Sequence, residues 1–210
     1  MSNLKLCAVS IGEIFDKLSI LDIKLEYISD KRRVDVEKEF NLLSLLIKEY
    51  IVENKYYYTL IKKINKDIWH LMDKIRLIDY NKNINEWSIL CKKTIDYNDI
   101  RFRIKNEINY VYNSDIKEQK SYDLTKYTLY SSHATDFYKL EILIKYYSLI
   151  YDIVEICCTD EIYELLNKLY FQTNSIIINK NNNIISDNIN TLYESNKLEQ
   201  SDLFSFIDTI

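Results

Sequence analysis

Carboxylates and bases recur along this chain at spacings that would gather them on shared helix faces. Glu13, Asp16, Lys17 and Lys24 fall within one stretch, "VSIGEIFDKLSILDIKLEYI". Trp69, Asp73 and Arg76 follow one another at i, i+4 and i+7. Asn98, Arg101, Lys105 and Asn109 do so at i, i+3, i+7 and i+11, one position off an apolar row. Groups of both signs held side by side can trade protons or grip an anion, because burial and neighbouring charges retune them. A charged pocket at one end of a helical domain is one reading of these stripes. A structural ion-pair network or a solvated face is the other, and the spacing leaves both open.

The same stretch holds Gly12, the single glycine of a chain that has no proline. Ser10-Ile11-Gly12-Glu13 has the form of a capping box. Ser10 is expected to accept the amide of Glu13, and the Glu13 side chain to reach back to the amide of Ser10. Val9 and Ile14 are placed for a hydrophobic staple around that start. Gly12 then lies in the first turn, where amides have no helical partner. Glycine there costs up to about 1 kcal/mol against alanine. The cost points either to a close approach of another segment or to an exposed amide that binds an anion. Glu13 puts a carboxylate beside the same amides and works against the anion.

Helices must carry these residues. Ile14, Leu18, Leu21, Leu25 and Ile28 form a 4-3-4-3 seam. A second helix is expected over about Val34 to Val52 on Phe40, Leu43, Ile47 and Ile51. A third runs from about Tyr56 to Asp79 on Ile61, Ile64, Ile68, Met72 and Ile75. A fourth runs from about Asn85 to Tyr112, with Ile100, Ile104, Ile108 and Val111 in its second half. The connections "SDKRR" and "YNKN" are short and polar, so the simplest architecture is an antiparallel up-down bundle. The period then changes. "YTLYSS", "DIVEICCT" and "NSIIIN" read as strands, with the helices "FYKLEILIKYYSLIY" and "DEIYELLNKLYF" between them. That alternation implies right-handed crossovers and a small parallel sheet. An Asn-rich stretch, "NKNNNIISDNIN", follows as a loop, and "LEQSDLFSFIDTI" as a short terminal helix.

Charge divides the chain at the same place. Residues 1–121 carry a net charge of +3 and residues 122–210 one of −7. The expected domains are therefore a helical bundle over 1–121 and a small α/β module over 122–210. Apolar residues make up 47% of the chain, enough for a core. The 19 tyrosines, with abundant Asn, Lys and Ile, read as codon bias rather than as a functional array. A net charge of −4 without a basic stripe disfavours nucleic acid, although "KRR" at 31–33 could touch a phosphate locally. No apolar run approaches the ~20 residues of a membrane span. Nor does the N-terminus read as a signal peptide. Cys7, Cys91, Cys157 and Cys158 lack disulfide or metal spacing, as do His70 and His133. The expectation is a cytoplasmic protein with reduced thiols, no metal and no cofactor.

The opening stretch resembles the V-S-x-G-E-[IL]-x-D-K-x-[ST]-I-L-x-I-K motif of an uncharacterised family of bacteria and some large DNA viruses. "DIWHLMDKIR" resembles its W-x-x-x-D-x-I-R. "YNDIRFRIKNEIN" resembles N-D-x-R-x-x-I-K-x-x-I-N, and "DIKEQKSY" the closing E-x-K-S-Y. The resemblance covers residues 9–122. It singles out Ser10, Gly12, Glu13, Asp16, Lys17 and Lys24, then Trp69, Asp73, Arg76, Asn98, Asp99, Arg101, Lys105, Asn109, Lys120, Ser121 and Tyr122. These match a motif to which no chemistry is attached. Members of that family are sometimes joined to, or lie near, glycosyltransferase modules. The segment from "YTLYSSHATDFYKL" to "YDIVEICCTDE" is similar to the start of a Rossmann-type glycosyltransferase. That likeness implies Asp136 as a loop carboxylate able to act as general base. The loop glycines of that pattern are replaced by Ser132, His133, Ala134 and Thr135, and the chain ends before a second, donor-gripping domain could follow. The resemblances together imply an accessory or remnant protein of glycan or nucleotide-sugar metabolism, partnered by a glycosyltransferase or another protein and short of a complete transferase. Whether it is an enzyme stays open. A helical protein–protein interaction scaffold with no small ligand is the rival reading.

Overall fold

The computed structural model describes residues 7–53, 55–121, 123–132, 136–170, 175–181, 188–189 and 192–193. Tyr122, His133, the middle of the Asn-rich stretch (182–187) and the tail (198–210) lie outside the described residues. The chain is mainly helical with a small three-stranded parallel sheet. Its contacts divide it into two compact units, residues 1–119 and 120–210.

The first unit holds four helices, α1 (Ile11–Tyr27), α2 (Arg33–Glu53), α3 (Lys55–Leu77) and α4 (Ile84–Val111). α1 packs against the other three, and α3 also packs against α4. Phe15, Leu18, Leu21 and Ile23 of α1 meet Ile47 of α2, Leu60, Ile61 and Ile64 of α3, and Ile100, Ile104 and Ile108 of α4 in one buried core. The second-helix row of Phe40, Leu43, Ile47 and Ile51 turns inward as its spacing predicts.

The seam of α1 needs correction. Of its five predicted members only Leu18 and Leu21 are buried, while Ile14, Leu25 and Ile28 are half-buried. The buried arc instead includes Gly12, Phe15, Asp16, Ser19 and Ile23. A helix with neighbours on three sides buries a wider arc than one seam. Part of this arc is polar because those side chains find partners across it.

The helix ends are closed by side chains and turns. Arg33 Nη1 donates to the carbonyls of Leu25 (2.5 Å) and Ile28 (3.2 Å), covering the C-terminus of α1. Arg32 Nε and Nη2 grip the Asp30 carboxylate at 2.7–3.0 Å. Both arginines of the "KRR" stretch are thus engaged locally. α4 ends in a Schellman turn. The Ser114 amide donates to Asn109 O at 2.8 Å and the Asn113 amide to Tyr110 O at 3.1 Å. Asn113 takes the left-handed position, with φ 49°. Asparagine is the non-glycine residue that tolerates this region best, and it serves where a glycine would be usual.

The second unit runs β1 (Lys126–Ser131), α5 (Phe137–Ile150), β2 (Ile153–Cys158), α6 (Asp160–Tyr170) and β3 (Ile176–Lys180). The strands are parallel, in the order β1-β2-β3. Leu129, Val154, Ile156, Cys158 and Ile176 are buried and alternate with more exposed neighbours. Cys157 and Cys158 accordingly face opposite sides, and all four cysteines are free thiols. On the more exposed face, Glu155 accepts from Lys126 Nζ at 2.7 Å, Thr128 Oγ1 at 3.2 Å and Asn179 Nδ2 at 2.7 Å. Tyr127 stacks on Tyr147 of α5 at 4.1 Å between ring centroids. Among the described residues, no helix is long and apolar enough to cross a membrane.

Candidate functional site

The polar residues of α1 and α4 converge where α1 begins. Four successive amides open that helix, and all four have partners. Ile11 N donates to Ser114 Oγ (3.2 Å), Gly12 N to Asn109 Oδ1 (2.7 Å), Glu13 N to Ser10 Oγ (3.1 Å) and Ile14 N to Ser10 O (3.2 Å). A helix start whose amides are so engaged offers no donor to an anion. Gly12 is there for space. A Cβ at this position would lie 2.4 Å from the backbone carbonyl oxygen of Lys105 and 3.0 Å from Asn109 Oδ1. The alternative of close approach holds, and the N-cap role of Ser10 with it. The return arm of the capping box is corrected, because the Glu13 carboxylate turns away to Lys105.

Two ion pairs extend this contact along the α1–α4 interface. Lys105 Nζ donates to Glu13 Oε1 at 2.6 Å and to Glu118 Oε2 at 2.7 Å. One turn further along, Asp16 is held in a fork by Arg101, whose Nε reaches Oδ1 at 2.8 Å and Nη2 reaches Oδ2 at 2.5 Å. Asn65 of α3 donates to Asp16 Oδ1 and to Ser19 Oγ, both at 2.8 Å. Asp16 and Lys105 are buried, so each charge is compensated by hydrogen-bonded partners, as burial requires. Burial pulls the Lys105 ammonium towards neutrality, but the hydrogen bonds to Glu118 and Glu13 outweigh it and hold its pKa above the ordinary lysine value. The Asp16 hydrogen bond holds the Arg101 guanidinium above its usual value as well, against desolvation. Lys105 and Arg101 are thereby fixed cations rather than groups poised to give up a proton near neutrality.

The remaining stripe residues sit elsewhere. Asp73 and Arg76 pair with each other at 3.1 Å on the exposed face of α3, and Asp73 does not join the Arg101 stripe of α4. Arg101 takes Asp16 because that carboxylate is buried beside it, whereas Asp73 points to water. Lys17 is exposed and pairs with Glu39 of α2 at 2.5 Å. Lys24 is half-buried near the C-terminus of α1, two turns from Asp16. Trp69 stacks on Tyr27 at 5.8 Å. Asn98 touches the network only through Arg101, at 3.5 Å, and Asp99 is half-buried beside it in sequence. Lys120 and Ser121 are exposed. In the second unit Asp136 is the N-cap of α5, its Oδ1 accepting the amides of Tyr138 (3.0 Å) and Lys139 (3.4 Å). Among the described residues no cluster of His, Cys, Asp and Glu could hold a metal ion.

The sequence pattern of a family of unknown function, DUF6165, matches residues 5–142, well over half of the chain. The chain belongs to the DUF6165 family. No curated protein and no solved structure matches it. The DUF6165 match takes in the whole clasp of α1 on α4 and Glu118. It also continues past the first unit through β1 into α5. The family pattern is therefore not confined to the helices, as the 9–122 resemblance suggests. Spacing alone overlooks Ser19, Asn65, Ser114 and Glu118. Of these only Glu118 carried a signal, the acidic residue three before Ser121 in E-x-K-S-Y. The others are short polar residues in ordinary helical or loop context, and nothing marks them before the fold brings them to α1.

Proposed function

We propose that this DUF6165 protein is a non-catalytic accessory protein of glycan or nucleotide-sugar metabolism. The observation that carries the non-catalytic part is the internal engagement of the motif. Glu13, Asp16, Arg101 and Lys105 neutralise one another across α1 and α4, and the α1 amides are capped by Ser10, Asn109 and Ser114. Such a clasp holds a domain together; a general base or an anion grip needs groups directed at a substrate. Asp136 likewise directs its carboxylate at the amides of α5. The link to nucleotide sugars is supported by the β-α-β-α-β order of the second unit, with strands in sequential order. One mononucleotide-binding half of a Rossmann-type sheet is built this way.

Two assays on the full chain test the reading together. A panel of nucleotides and nucleotide sugars is screened by thermal shift, and released nucleotide is measured for the same donors. Stabilisation by a donor without turnover is the expected outcome. Turnover that disappears in Asp136→Asn would replace the accessory role with catalysis. A panel that leaves the melting temperature unchanged throughout would favour the scaffold reading instead.

A further inference from the structure

α2 is apolar on both sides. Its inner face is used in the core, but its outer face exposes Leu42 (46%), Leu45 (77%), Leu46 (63%) and Val52 (76%). Along the middle of that outer face runs a 4-3-4-3 row, Lys38, Leu42, Leu45, Glu49 and Val52, the spacing of a coiled-coil seam. Lys38 and Glu49 are exposed, and neither has a partner among the described residues. A lone leucine in water needs no explanation, but three large apolar side chains in register on one helix, with Leu46 beside them, mark a contact surface.

The order of charges along the row names the occupant. We propose that α2 pairs with α2 of a second copy of this chain, antiparallel, about a twofold axis passing between Leu43 and Ser44. In that register Leu42 of one copy lies opposite Leu45 of the other, and Leu45 opposite Leu42. Lys38 of each copy then meets Glu49 of the other, once at each end of the leucine layer. The row is self-complementary, as a twofold interface demands. A parallel pairing of the same row would set Lys38 against Lys38 and Glu49 against Glu49. Val52 falls opposite Asp35 at the rim, so the apolar contact is short. A single seam from Val34 to Val52 is about 27 Å long at 1.5 Å per residue. An interface of this size gives a concentration-dependent dimer rather than an obligate one.

Sedimentation velocity of the full chain over about 1–500 µM, at low salt, tests the pairing by mass action. A monomer–dimer equilibrium is expected. Lys38→Glu alone, or Glu49→Lys alone, turns two attractions into two repulsions and raises the dissociation constant about tenfold. The double variant Lys38→Glu/Glu49→Lys restores the original value, since the pairs re-form with signs exchanged. Leu45→Glu gives a monomer at every concentration with an unchanged helical circular dichroism spectrum, which separates lost association from lost folding. A chain that remains monomeric throughout overturns the proposal, and so does association indifferent to the single charge reversals. A double variant no better than the singles overturns the antiparallel register. None of these outcomes depends on whether a nucleotide sugar binds.

Discussion

At the scale of single residues, the only glycine and one asparagine show how a chain with almost no glycine manages its tight places. Gly12 lets the first turn of α1 lie on the backbone of α4, where a Cβ would come within 2.4 Å of Lys105 O. The sign of Gly12→Ala can therefore be decided by comparing two effects. Alanine gains at most about 1 kcal/mol in helix propensity. Against it stands an overlap with a backbone carbonyl, which cannot rotate aside as a side chain can, and the Asn109 bond to the Gly12 amide must lengthen if the helices separate. Overpacking of this kind costs about 1–3 kcal/mol. With the propensity gain subtracted, we predict a net loss of about 1 kcal/mol, read as a lower midpoint in urea with an unchanged slope. A midpoint equal to that of the parent chain would mean that α1 can slide on α4 freely. Asn113 shows the complementary case. It takes the left-handed C-terminal position of α4 without glycine and so delivers Ser114 to the amide of Ile11.

At the scale of elements, much of the architecture was legible because apolar periodicity reports burial. The four helices and the strand–helix alternation follow from spacings of 3.6 and 2, and their observed bounds differ from the expected ones by only a few residues. What periodicity could not show is which polar residues join the core. Asp16 belongs to a polar stripe and Ser19 carries no signal in the spacing, yet both are buried because Arg101 and Asn65 arrive from other helices. A seam count treats each helix alone, whereas this burial is a property of three helices at once. Taken helix by helix, Asp73 and Asp16 both lie beside apolar rows and are equivalent as partners for Arg101. The structure separates them, and a pair of double-mutant cycles follows. Asp16→Ala with Arg101→Ala should show a coupling of about 2 kcal/mol. Asp73→Ala with Arg101→Ala should be additive within about 0.5 kcal/mol. The first figure is set below the usual cost of breaking a fully buried pair, because Arg101 keeps 27% of its side chain in water. Additivity in the first cycle, measured by chemical denaturation, would show that the fork carries no energetic content.

At the scale of the whole chain, the contacts separate residues 1–119 from residues 120–210, and the charge balance changes sign at nearly the same place. The first boundary lies eight residues beyond the last residue of α4, Val111. Those extra residues are part of the helical unit for a physical reason. Ser114 accepts the Ile11 amide, and Glu118 shares Lys105 with Glu13. A domain cut at the end of its last helix would therefore be incomplete. We predict that a fragment of residues 1–119 folds cooperatively, and that one of residues 1–113 is less stable by about 1–3 kcal/mol. One helix-start partner is worth roughly 0.5–2 kcal/mol. The loss of Glu118 contributes less than the breaking of a buried pair, since Lys105 retains Glu13. Urea denaturation followed by circular dichroism compares the two fragments directly. Serine and glutamate can then be removed singly in the longer fragment, as Ser114→Ala and Glu118→Gln, to apportion the difference. Equal midpoints for the two fragments would show that the segment after α4 is carried by the helices without supporting them. A non-cooperative transition in the longer fragment would show that the helical unit depends on residues beyond 119.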